Sequence, residues 1–399
     1  MDASLASGQD RSLSYPSPYA DLPRIRGRCG RAGGIFYAEN RLSCVAETGV
    51  DFMKRRTVLL GGLQAGLALA MPSLAPWRAA SAQSPTNVKF VIDFTYQGNH
   101  AIWGLALAQG LFTREGLNVT MDRGYGSGDT IVKVASGAYD VGFADVNAAV
   151  KFNAQNPDKR VIAVLQVFDR TLSSIITLKK SGITNPKQLP GHTLGAPEAD
   201  ASRLLFPAFA KINGIDPSTI IWKSIAPNLR ETILIQGQVD AITGFTSSSL
   251  FNLIAAGAPR DDVVLMPFAK FGLDLYGNAV IVREETIKSK PDMVRGFVKA
   301  TIEGTKALIK DPQAGLAAMH ARDPMFDVPL EADRLQLVLN DSILTPDVKK
   351  NGFGYIVPAR MDLTIKSNLE ANGLNVALTP DQLYTTSFLP PQAERMPPA

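Results

Sequence analysis

The chain has 399 residues, 45% hydrophobic and 20% charged, which fits two globular domains and excludes a disordered or fibrous chain. Its net charge of +4 arises at the front: residues 1–82 hold 10 basic and 6 acidic residues, and the remainder holds 31 of each. That balance, without basic–aromatic interleaving, excludes nucleic acid as a partner; both cysteines, Cys29 and Cys44, lie in the first 52 residues, which excludes thiol catalysis and cysteine metal sites from the rest.

Residues 1–52 are rich in Gly, Arg and Ser, show no periodic pattern, and read as an extension upstream of a start at Met53. Residues 53–82 read as an export signal: Lys54-Arg55-Arg56, an apolar run to Leu74, and Ala80-Ser81-Ala82 as a cleavage site near Ala82. The paired arginines suit twin-arginine export, with the plain secretory route as the alternative. The apolar run is interrupted by Gly61, Gly62, Gln64, Gly66 and Pro72, and falls short of the roughly 20 residues a membrane span needs.

The exported chain begins with strand–loop–helix alternation. Val91-Ile92 end a strand, a polar and aromatic loop runs from Thr95 to His100, and Ile102, Leu105, Ala106 and Gln109 have helical spacing. Leu117–Met121 alternates as a strand, Gly124–Gly128 opens a helix to Ala135, and Asp140–Ala144 is a third strand. Arg160–Val167 is a buried strand, and Ser173–Leu178 continues extended. A second set follows: strand at Thr193–Ala196, helix from Ser202 to Asn213, strand at Ile220–Ser224, helix from Asn228 to Gln236, strand at Val239–Ile242, helix from Ser249, strand at Val263–Met266. Ala135–Phe143 and Ile235–Ile242 echo one another, each a helix end, a Gly, then an Asp entering a strand, which argues for two similar lobes. Gly277–Val282 returns to a strand, Pro291–Lys310 is amphipathic, helices follow near 330–339 and 358–372, and the Pro-rich tail is expected to fray. Parallel strands need crossovers, so each lobe is expected to be an α/β unit with its ligand loops at the carboxyl ends of the strands.

Catalytic patterns are missing. There is no P-loop, Asp129 stands where a dinucleotide fingerprint needs its third glycine, Ser127 is not in G-x-S-x-G, and His100, His192 and His320 lack metal spacing. No cofactor, metal or catalytic residue is therefore expected. Gln109–Phe112 with Glu115–Val119, the run Ala135–Gly142, Leu189–Gly195, and Gly277–Val282 before the Pro291 helix resemble the periplasmic solute-binding proteins of ABC importers, within the family of sulfonate- and thiamine-pyrimidine-precursor-binding proteins. The resemblance implies a two-lobed type II periplasmic binding fold, each lobe a mostly parallel sheet flanked by helices, with lobe 1 from 83–175 and 279–399 and lobe 2 from 176–278. It implies a monomer that captures a small molecule and hands it to an ABC permease and its ATPase subunit in the inner membrane. The family also contains a pyrimidine synthase with a cysteine-rich iron motif, from which this chain departs. A sensor role on the same fold is a further alternative.

The cleft between the lobes is expected at the strand ends. Tyr96, Gln97, Asn99, His100 and Trp103 form one candidate wall, with Trp103 either stacking on a planar ligand or packing its helix onto the sheet. Gly126 and Ser127 are expected to offer helix N-terminal N–H groups, with Asp129 as a cap. Asp145 and Asn147 contact ligand or cap the next helix. Glu198, Asp200 and Ser202 face them from lobe 2; their carboxylates favour a neutral or amine-bearing planar ring over a sulfonate, nitrate or aromatic acid. Thr243, Phe245 and Thr246 complete the opposite wall, Tyr276 sits beside a hinge, and Arg170 either meets a ligand carboxylate or pairs with a lobe 2 acid.

Overall fold

A computed structural model describes residues 84–398. The extension and export signal expected over 1–82 lie outside them. Among the described residues no helix is long and apolar enough to cross a membrane.

The chain enters through β1 (Thr86–Val91), α1 (Ala101–Ala108), the single turn α2 (Leu111–Arg114), β2 (Leu117–Asp122), α3 (Ser127–Ala135), β3 (Val141–Asp145), α4 (Val146–Gln155) and β4 (Val161–Gln166). It crosses to β5 (Ser173–Leu178), β6 (Thr193–Ala196), α5 (Ala201–Ile212), β7 (Ile221–Ser224), α6 (Arg230–Ile235), β8 (Ala241–Phe245), α7 (Thr246–Ala255) and β9 (Val263–Pro267). It then returns through β10 (Asn278–Arg283), α8 (Glu284–Ser289), α9 (Pro291–Lys310), α10 (Pro312–Arg322), α11 (Val328–Val338), α12 (Pro346–Asn351) and α13 (Pro358–Ala371).

Two five-stranded sheets result, ordered β2-β1-β3-β10-β4 and β7-β6-β8-β5-β9. In each, one strand runs against the rest: β10 is antiparallel to β3 and β4, and β5 is antiparallel to β8 and β9. Those two are the strands that cross between lobes. The whole of β5 belongs to the second sheet and the whole of β10 to the first, so the expected boundaries at 175/176 and 278/279 shift a few residues upstream, because ladder bonds hold each strand as a unit. The sequence echo has a shared structural cause. The Asp140 N–H donates to the Lys89 carbonyl at 2.9 Å while its carboxylate accepts the Lys89 N–H at 3.0 Å. Asp240 does the same to Thr193, at 2.9 and 2.8 Å. Each aspartate fixes the strand it meets, β1 in the first lobe and β6 in the second.

In β2 alternation sets burial, with Leu117, Val119 and Met121 inward and Asn118, Thr120 and Asp122 outward. β4 and β5 are buried throughout, as sheets covered on both faces require. Pro291 occupies the first turn of α9, whose Val294, Phe297, Val298 and Ile302 pack into the first lobe's core. The tail departs from expectation. It lies along the edge of β4, where the Ala163 N–H donates to Leu383 and the Thr385 N–H donates to Ala163, at 2.8 and 2.9 Å. The Phe353 N–H donates to the Arg395 carbonyl at 2.8 Å, and Phe388 is buried. Proline content signals fraying, but here the tail covers a sheet edge that would otherwise expose unpaired backbone groups.

Candidate functional site

The strand ends of both sheets meet in a closed cleft. Its inner end is a cavity of about 30 Å³ lined by Asp93 and Ser127 from the first lobe, Asp200, Arg230 and Ser248 from the second, and the half-buried rings of Phe94 and Phe245. An outer chamber of about 810 Å³ also has Phe94 in its lining.

Asp93 stands two residues past β1, and its carboxylate is held from two sides. Nε2 of His100 stands 2.9 Å from its Oδ1, and Nδ2 of Asn278 donates to its Oδ2 at 2.7 Å. Nδ1 of His100 accepts the Gln97 backbone N–H at 3.1 Å, which leaves the proton on Nε2, donating to Asp93. His100 is fully buried behind Asp93 and orients it. Asp145 ends β3 and caps α4, its Oδ1 accepting the Asn147 N–H at 2.7 Å; its own N–H donates to the Ser127 hydroxyl. Its Oδ2 has no hydrogen-bond partner among the described residues. Burial pushes its carboxyl up to about 7, with Asp93 and Asp200 adding repulsion against the bonds from Asn147.

The second lobe's acid is compensated. Asp200 caps α5 by accepting the Arg203 N–H, accepts the Thr243 hydroxyl at 3.0 Å, and pairs with Arg230 at 3.1 Å. Burial raises the Asp200 pKa, and Arg230 opposes that rise. Arg230 also grips Glu231 at 2.8 Å. Room for the guanidinium comes from Gly244, where an added Cβ would lie 2.8 Å from Arg230 Nη1 and 2.5 Å from the Ser249 hydroxyl.

Closure has its own contacts. The Gly128 N–H donates to the Ala199 carbonyl across the cleft at 3.1 Å, and the Ser248 hydroxyl donates to Gln97 Oε1 at 2.8 Å. Gly126 is pressed against the same Ala199 carbonyl, 2.7 Å from where a Cβ would stand, at φ 123°. From α11, the buried Arg334 donates to the Ser247 and Ser248 carbonyls and pairs with Glu331, whose carboxylate accepts the Gly98 N–H.

Of the residues expected from sequence, the structure brings Gly126, Ser127, Asp200 and Phe245 to the inner cavity, with Gln97 and Thr243 bonded to residues lining it. Asp145 lies directly behind Ser127. Ser202 is fully buried, its hydroxyl without a partner among the described residues, and the buried Asn99 has an unpartnered Oδ1.

Others stand elsewhere. Trp103 is a core residue, 4.6 Å from Phe143 and 5.2 Å from Phe90 between ring centroids, with its indole N–H on Thr301, because the first turn of α1 faces the sheet. Tyr96 donates to the Met121 carbonyl and packs on the first core. Asn147 joins the Tyr276 carbonyl to Asn368. The buried Tyr276 ring carries Arg360 at 4.3 Å, and burial pushes its hydroxyl up to about 12. Arg170 pairs with Asp274 at the crossing between lobes, at 2.8 Å. Glu198 is exposed and accepts from Ser224. The helix N-terminus expected to offer free N–H groups spends the Gly128 N–H on Ala199 and the Tyr125 N–H on Asp129. Sequence reading missed Asp93, Phe94, Arg230 and Ser248; an aspartate two residues past a strand end was the available signal for the first.

Two α/β lobes with this strand order, joined by two crossings and closed on a cleft, define the type II periplasmic binding fold. The chain belongs to the NMT1/THI5-like family, whose model matches residues 97–315. It is 20% identical over 266 residues to the formylaminopyrimidine-binding protein of Halalkalibacterium halodurans, covering 65% of this chain and 79% of the relative. It is 23% identical over 237 residues to the 4-amino-5-hydroxymethyl-2-methylpyrimidine phosphate synthase of Schizosaccharomyces pombe, covering 57% and 67%. It is 23% identical over 337 residues to the riboflavin-binding protein RibY of Chloroflexus aurantiacus, covering 80% and 91%. Among solved structures, the nitrate-binding protein NrtA of Synechocystis PCC 6803 shares the fold with a TM-score of 0.59 at 10% identity, covering 78% of this chain and 91% of that one. The alkanesulfonate-binding protein SsuA of Xanthomonas axonopodis pv. citri does so at 0.55 and 15%, covering 72% and 94%.

Proposed function

We propose that this chain is the periplasmic binding component of an ABC importer, capturing a small planar solute with an amine-bearing edge by lobe closure and delivering it unchanged to a membrane permease and its ATPase. The observation that carries this reading is the meeting of Asp93 and Asp200, from opposite lobes, at one closed cavity with Asp145 just behind. Arg230 offsets the second lobe's acid, whereas among the described residues Asp93 pairs only with His100. A donor or a positive charge on the ligand completes that balance, whereas a sulfonate, nitrate or carboxylate would add repulsion in a closed site. Pyrimidine recognition by the two pyrimidine-named relatives agrees with an amine edge.

Binding without turnover is favoured by how the titratable groups are used. His100 has both nitrogens committed, one to Gln97 and one to Asp93, so it offers the cleft no free base. The synthase-named relatives keep an enzymatic reading testable. The test incubates the purified exported chain with 4-amino-5-hydroxymethyl-2-methylpyrimidine and follows heat and mass together. We expect saturable binding and recovery of the pyrimidine at unchanged mass; a new product mass would replace the importer reading with an enzymatic one.

A further inference from the structure

The inner cavity, at about 30 Å³, falls far below the size of a small-molecule site, so with the lobes closed it admits a substituent rather than a ring. The outer chamber, at about 810 Å³, has the size of a site for a whole small ligand. Phe94 lines both, with the Arg230 guanidinium 5.7 Å from its ring centroid. On the first lobe the chamber wall is aromatic and basic, with Phe94, the exposed Tyr125 and Arg123. On the second it is small and polar, with Ala226, Asn228 and Thr232. Arg123 makes no ion pair among the described residues. Glu231 also lines the chamber, but its carboxylate is taken by Arg230.

From these contrasts we infer that the ligand is read in two parts. An amine tip enters the inner cavity beside Asp93. A planar body lies in the outer chamber against Phe94 and Tyr125 and carries an oxygen-rich tail to Arg123. This rests on the importer reading and extends it: aromatic faces hold the body, and a guanidinium recognises hydroxyl or phosphate oxygens.

Three probes in calorimetric titrations test it: 4-amino-5-hydroxymethyl-2-methylpyrimidine as the amine tip on a single ring, thiamine as the same with a second ring and hydroxyl tail, and thiamine monophosphate as that with a phosphate tail. We expect each added part to tighten binding at least about fivefold. Arg123→Ala should erase the gain from the tail, through hydroxyl or phosphate according to which probe gained, and leave the pyrimidine unchanged. Thr232→Trp, on the exposed face of α6, should narrow the chamber and weaken all three probes, the extended ones most; Ala255→Trp serves the same purpose should the first variant fold poorly. Equal affinity for all three probes, with both variants silent, overturns the two-part reading and leaves the importer reading standing. Binding of none of the three overturns both.

Discussion

At the carboxyl end of β3 the first lobe places Asp145; at the matching end of β8 the second lobe places Phe245. The strand orders are the same, and the aspartates that fix β1 and β6 are matched, yet the lobes meet the cleft with different electrostatics. The first brings Asp93 and Asp145, supported by His100, Asn278 and Asn147. The second brings Asp200 and Glu231 clamped on Arg230. A shared topology therefore carries two jobs. Among the described residues one jaw leaves its acids without a Lys or Arg partner, while the other neutralises its own acids with Arg230.

The sharpest way to break this division is in the second jaw. Arg230→Met leaves Asp200 and Glu231 buried and unpaired, and we expect a loss of about 3–5 kcal/mol in urea unfolding. Asp145→Asn should act oppositely in the first jaw. The Asp145 carboxyl is pushed up to about 7 from 3.8, so the folded state holds its proton more tightly than the unfolded chain does. Its contribution favours folding below about pH 4 and is lost as pH rises towards 7. The asparagine variant retains a helix-capping side chain. It should match the native protein near pH 4 and exceed it at pH 8 by about 2–4 kcal/mol, read from unfolding curves at the two pH values. Smaller still is Trp103→Phe, which removes the bond to Thr301 and part of a buried ring. A loss of about 1–2 kcal/mol in stability with unchanged ligand affinity is expected; weakened binding at full stability would return Trp103 to the cleft.

Much of this contrast was legible in the chain. Period-two and period-three-to-four patterns placed the strands and long helices, and the Gly–Asp echo disclosed the repeated lobes. Asp200 and Ser127 were legible because each lies at a helix start after a strand. What escaped depends on partners distant in sequence. Arg230 gains its role from Asp200, thirty residues earlier, and lies on a helix whose pattern marks only its apolar face. Asp93 depends on Asn278 from the returning strand. Trp103 and Tyr276 have residue types suited to a ligand, yet the direction in which they point is set by packing, against Phe143 in one case and Arg360 in the other. Composition alone misread the tail, since the edge of β4 that orders it lies over 200 residues upstream.

The most direct measurement is a paired calorimetric titration of 4-amino-5-hydroxymethyl-2-methylpyrimidine into the native protein and Asp93→Asn at neutral pH. If Asp93 holds the amine edge, the variant should bind about a hundredfold more weakly, roughly 3 kcal/mol, with its unfolding transition retained. Equal affinity in the two proteins would contradict it and remove Asp93 from the binding site.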